Sequence, residues 1–145
     1  MDVQKPVVAV DVFIYKDNQI LLGKRKDSFI KDPTFAPPGG HLENGETLRK
    51  CALREVKEET GLSVELEDVV TIHENNTYGK HYVIICFKAK WVNGEPKVLE
   101  PDQYYFWKWY GLDNLPKPLF ANNFLTIKNI ERKIIADKRE TLEVR

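Results

Sequence analysis

Glu55, Glu58 and Glu59 fall within one turn of a predicted helix in the run GHLENGETLRKCALREVKEETGL, Gly40 to Leu62, with Arg54 beside them. Residues three and four apart share a helix face. Three carboxylates so placed repel one another unless positive charge sits among them. A bound hard cation supplies that charge, and Mg²⁺ or Mn²⁺ prefers oxygen ligands of this kind. Such an ion neutralises an oxyanion and lowers the pKa of a bound water.

The elements that must position these groups follow from local pattern. Thr47 is suited to cap a helix running to about Thr60, and Gly61 to end it. Leu48, Cys51, Ala52, Leu53 and Val56 are its expected apolar side. Upstream, Val7 to Tyr15 (VVAVDVFIY) is rich in β-branched and aromatic residues and reads as a strand. Lys16-Asp17-Asn18 turns it back into Gln19 to Leu22. Asp27 to Pro38 reads as loop, Gly39-Gly40 as a place for backbone conformations closed to other residues, and Asn44-Gly45 as a turn. Downstream, Val69 to His73, His81 to Lys88 and Tyr104 to Tyr110 read as strands, with a tight turn at Asn93-Gly94-Glu95-Pro96 and a loop from Pro116 to Asn123. Phe124 to about Lys138 reads as a helix with Ile127, Ile130 and Ile134 on one face. Two helices suffice to cover both faces of one sheet.

Composition bounds what such a site can belong to. The chain has 145 residues, 42% of them hydrophobic, which suits one domain over 1–145 with a real core. Its 22 basic and 22 acidic residues balance to a formal charge of zero, which argues against a purely electrostatic nucleic-acid binder. No apolar run reaches the roughly 18 residues of a membrane span, and the start MDVQKPVVAV lacks the features of a signal peptide. Cys51 and Cys86 make no disulfide framework, so a reducing cytoplasm is expected.

The acidic run resembles a complete Nudix box: Gly40, then Glu46, then Arg54-Glu55-Val56-Lys57-Glu58-Glu59-Thr60-Gly61-Leu62 at the family's spacings. A solvated helix with pairs such as Glu46–Lys50 accounts for the charges but not for the glutamate cluster or its glycine brackets. The resemblance implies an α+β Nudix fold, an α/β/α sandwich with a mixed sheet and the catalytic helix on one face. It also implies hydrolysis of a nucleoside diphosphate linked to another moiety. Glu55, Glu58, Glu59 and the Gly40 carbonyl would hold Mg²⁺ or Mn²⁺. Glu46 would pair with Arg54. Glu58 or Glu55 would act as base.

Outside the box, LLGKRKDSF…PPGGHLENGET is similar to the MutT class, which includes 8-oxo-purine nucleotide diphosphatases. That likeness implies that Arg25, flanked by Lys24 and Lys26, meets phosphate, for which its planar fork is suited. Gly39 and His41 would approach substrate. Glu100 would join the metal site or act as base, with Asp102 as substitute. Asn122 would read a purine edge, unless it or Asn123 caps the last helix. Phe35 and Phe120 would stack on a base or belong to the core. His73 and His81 are expected in strands. Tyr78 is a faint marker of dinucleoside-polyphosphate hydrolases, and the proline that would mark ADP-ribose near that position is absent.

The expected activity is Mg²⁺-dependent cleavage of a nucleoside triphosphate, oxidised or non-standard dNTPs included, to monophosphate and pyrophosphate. Cleavage of dinucleoside polyphosphates, ADP-sugars or capped RNA stands second, and nucleotide binding without turnover third. The expected partner is a small nucleotide, with no membrane and no polymeric nucleic acid, for a monomer or homodimer.

Overall fold

The computed structural model describes residues 5–26, 34–76, 79–120 and 123–143. Strands β1 (Val7–Lys16) and β2 (Gln19–Arg25) form a hairpin; β3 (Phe35–Ala36) and β4 (Gly39–His41) follow. Helix α1 (Leu48–Thr60) precedes β5 (Val64–Asn75), β6 (Tyr82–Trp91), β7 (Tyr104–Gly111) and helix α2 (Asn123–Glu143). The strands make one seven-stranded sheet with a β3-β2-β1-β6-β5 path, β4 adding to β1 and β7 to β2. It is mixed, because β1 and β6 run parallel from Val7↔Tyr82 to Tyr15↔Lys90.

Alternation along β1 serves two cores. Val10, Val12 and Ile14 pack with Cys51, Ala52 and Val56 of α1 on one face. Phe13 packs with Ile127 and Ile130 of α2, and Ala9 lies against this second cluster. The helices therefore cover opposite faces, as the α+β sandwich requires. Leu53 departs from the expected apolar side of α1 and is 43% exposed. It shares the i,i+4 row of Arg49 and Lys57, which faces solvent.

The loop expected around Asp27 to Pro38 holds β3, and the Gly-Gly pair lies in a strand. Neither Gly39 nor Gly40 has positive φ, unlike Gly45 at 87° and Gly61 at 77°. Their requirement is space: a Cβ on Gly39 would strike the Asp11 carboxyl and the Val10 carbonyl oxygen, and one on Gly40 the Glu55 carboxyl. β2 also runs further than its apolar residues indicated, carrying Lys24 and Arg25 into the sheet.

One irregularity of the sheet creates the site. β1 and β2 pair only at Tyr15↔Ile20 and Lys16↔Gln19. Beyond that they diverge, and β4 takes the place beside β1 through Ala9↔His41, Val10↔Gly40 and Asp11↔Gly39.

Candidate active site

Helix α1 is fixed at both ends. Thr47 Oγ1 accepts from the Lys50 amide at 3.1 Å. The Gly61 amide donates to the Lys57 carbonyl at 3.0 Å, in the left-handed conformation that glycine adopts without strain. Trp107 of β7 donates its indole N–H to the Glu59 carbonyl at 3.2 Å. These contacts set the rotation of the helix and so the aim of its glutamates.

Arg54 occupies the centre of the acidic cluster. Its Nε and Nη2 bind the two oxygens of Glu46 at 3.0 and 2.6 Å, the expected fork-to-fork pair. Its Nη2 also reaches the His41 carbonyl at 3.1 Å, and its Nη1 reaches Glu55 at 2.7 Å and Glu58 at 3.2 Å. The positive charge demanded by two of the three carboxylates is thus an arginine in this arrangement. Hydrogen bonding to Arg54 and to the Glu43 amide holds the Glu46 carboxyl down at about 2. Among the described residues, no three acidic, imidazole or thiol side chains are gathered as a ready ligand set.

Glu59 behaves differently. It is 3% exposed and accepts from the Gly39 amide at 3.2 Å. Burial pushes its carboxyl up to about 9; the Gly39 hydrogen bond opposes this, while the Glu55, Glu100 and Asp11 charges add to it. Burial likewise raises Glu55, against the pull of Arg54. Glu100 is raised by burial and then by the Glu58 and Asp102 charges, which places it electrostatically within the same cluster. These are oxygen donors whose ionised forms are only partly compensated by Arg54 and the Gly39 amide, and the Gly40 backbone lies against Glu55. Such a donor set fits a hard divalent cation, which would hold the carboxyls ionised.

Beside the cluster lies a cavity of about 450 Å³ lined by Asp11, Arg25, Lys26, Gly39, Gly40, His41, Glu59, Lys80, Tyr82, Tyr104 and Phe120, among others. Arg25 stacks over the Phe120 ring at 4.7 Å, and the rings of His41 and Tyr82 lie 5.7 Å apart. The structure therefore brings Arg25, Gly39, Gly40, His41 and Glu59 to one space, with Glu55 behind Gly40, while Glu58 and Glu100 lie outside the lining. Phe35 packs instead against Tyr110 at 5.7 Å, outside that lining. Asn122 and Tyr78 lie outside the described residues. Asn123 opens α2 buried, and its amide has no partner among the described residues, so its side chain does not form the expected cap.

Asp11 escaped the sequence reading. Protein packs closely around its carboxyl, and this burial raises it to about 7 against the pull of Arg25. The available signal was a lone carboxylate inside an otherwise apolar strand, VVAVDVFIY.

The NUDIX domain family matches residues 5–130, most of the chain. The chain belongs to the Nudix family. It is a Nudix hydrolase, an enzyme acting on nucleotide phosphoanhydrides, and its relatives differ in substrate. It is 39% identical over 117 residues to an ADP-ribose pyrophosphatase of Methanocaldococcus jannaschii, covering 79% of this chain and 68% of that protein. It is 29% identical over 137 residues to the human 8-oxo-dGDP phosphatase NUDT18, covering 93% of this chain but only 41% of the relative. A MutT NUDIX hydrolase from Burkholderia pseudomallei superposes with a TM-score of 0.80 at 29% identity, over 88% of this chain and 99% of that one.

Proposed function

We propose that this Nudix hydrolase cleaves nucleoside triphosphates to monophosphate and pyrophosphate, oxidised or non-standard dNTPs being candidate substrates. The supporting observation is the cavity itself. Arg25, Lys26 and Lys80 line a space that also holds Tyr82 and Phe120, so cations and aromatic rings lie together beside Glu59. This suits a nucleoside carrying a multiply charged phosphate chain.

Gly40, Glu55, Glu58 and Glu59 would hold Mg²⁺ or Mn²⁺, which supplies positive charge against the phosphate oxygens. The remaining work falls to the chain. Arg25 grips phosphate, Gly39 positions Glu59 through its amide, and Arg54 steers Glu55 and Glu58. A carboxylate takes a proton from water as water oxygen attacks phosphorus and the bridging P–O bond breaks. Glu58 is the first choice for that base, because its side chain is half exposed and therefore open to water; Glu55 and Glu100 are the alternatives.

A nucleotide panel with Mg²⁺, reading both rate and product, tests this proposal. Pyrophosphate release from dNTPs, 8-oxo-dGTP included, is expected. Turnover of ADP-ribose far above every triphosphate would replace this reading with a second one, which the 39% identical ADP-ribose pyrophosphatase favours.

A further inference from the structure

The cavity contains a carboxylate outside the acidic helix to which the proposed hydrolysis gives no role. Asp11 lies mid-strand on β1, and its neighbours Val10 and Val12 are fully buried beneath α1. Alternation puts Asp11 on the other face with Ala9 and Phe13, where it lines the cavity beside Tyr82 and Phe120. The space its carboxyl fills exists because Gly39, its register partner on β4, has no Cβ. A phosphate chain is repelled by this group and attracted by Arg25 and Lys26. The part of the substrate that meets Asp11 is therefore the uncharged nucleoside.

Above its raised value of about 7 the Asp11 carboxyl is ionised and offers acceptors only, two oxygens side by side. Its flat complement is an edge with two adjacent N–H donors. Guanine carries that edge at N1–H and the exocyclic N2 amine, and oxidation at C8 leaves both in place. Adenine and cytosine present a bare ring nitrogen at the corresponding position. We propose that Asp11 is a specificity-determining residue that selects guanine-type bases by accepting from this donor pair. The inference rests on the triphosphatase reading for its substrate but can be tested without turnover.

The test compares kcat/KM for dGTP, dITP and dATP in the wild type and in Asp11→Asn, alongside calorimetric binding of dGMP and dAMP to both proteins. Hypoxanthine keeps N1–H and lacks the amine, so dITP isolates one of the two bonds. The wild type is expected to favour dGTP over dATP, and dGMP over dAMP, by about tenfold or more, with dITP between. Asp11→Asn should erase most of that preference, mainly through KM, as dGTP loses affinity and dATP gains it, because an amide can both donate to adenine N1 and accept from its N6 amine. An equal loss on all three nucleotides would make Asp11 an anchor for Arg25 and overturn the proposal. Equal wild-type affinity for dGMP and dAMP would overturn it even if the variant failed to fold. If no triphosphate is cleaved yet dGMP is preferred and the variant loses that preference, the triphosphatase reading falls and the role of Asp11 stands.

Discussion

The Gly39 amide donates to Glu59 Oε2 at 3.2 Å, joining the strand that fills the gap between β1 and β2 to the last turn of α1. One short strand thereby meets two acids: Gly39 binds Glu59 through its N–H and leaves room for Asp11 by lacking a side chain. Gly39→Ala must displace the Asp11 carboxyl or the β1 backbone. The expected cost is about 1–3 kcal/mol of stability, the range for overpacking a filled site, and denaturant unfolding measures it. Unchanged stability would mean that β4 and β1 separate more easily than their paired register implies.

Arg54→Lys should be far from conservative. The guanidinium serves Glu46 with two nitrogens while reaching Glu55, Glu58 and the His41 carbonyl with the others. An ammonium is a point donor that cannot hold this fork. A loss of about 1.5–3 kcal/mol is expected, the scale of hydrogen bonds to charged groups, together with a fall in kcat as Glu55 and Glu58 lose their aim. Wild-type stability in Arg54→Lys would show that a single charge suffices at the centre of the cluster.

How much of this was legible beforehand depended on range. Thr47, Gly61 and the i,i+4 pattern are local features, so the ends of α1 follow from sequence alone. The Glu46–Arg54 pair is likewise a short-range consequence of the motif. Gly39 and Gly40 were legible as special but for the wrong reason. Their constraint comes from Asp11 and Glu55, which sequence places far away, rather than from their own φ. Asp11 itself was hidden because a strand pattern reports alternation without naming the cavity into which one face opens. Leu53 shows the converse error, an apolar type assigned inward although its helical row faces water.

Glu58→Gln tests the proposed base against its neighbours. Glu58 has a half-exposed side chain and bonds only to Arg54 among the described residues, so stability should change little. A general base contributes about 10²–10⁴-fold, and kcat should fall by that order while nucleotide affinity is largely kept. If Glu100→Gln gives the larger fall and Glu58→Gln a small one, the base is Glu100.

Acid should unfold the protein partly through Glu46. Its folded carboxyl sits near 2, against 4.5 for the ordinary group. A depressed carboxyl contributes stability above its unfolded value and loses it as pH falls. The Glu46 contribution should therefore fade between 4.5 and about 2. Thermal unfolding across that window should show a shallower pH dependence in Glu46→Gln than in the wild type. Parallel curves would mean that the Arg54 pair contributes nothing to acid resistance.

Glu59 predicts the opposite slope, and with it a test of the metal. Its ordinary value is 4.5 and its folded value about 9. Between them the folded state holds a proton that the unfolded chain has released, so stability falls as pH rises through the window. In EDTA the melting temperature should therefore carry a declining component from about pH 5 to 9, and Glu59→Gln should remove it, since an amide does not titrate. A divalent cation reverses the preference by favouring the ionised carboxyl, and proton release on binding makes it more effective at higher pH. Added Mg²⁺ should raise the wild-type melting temperature more at pH 9 than at pH 6, and should do so weakly in Glu59→Gln. A Mg²⁺ effect that is equal in both proteins and flat with pH would remove Glu59 from the metal site.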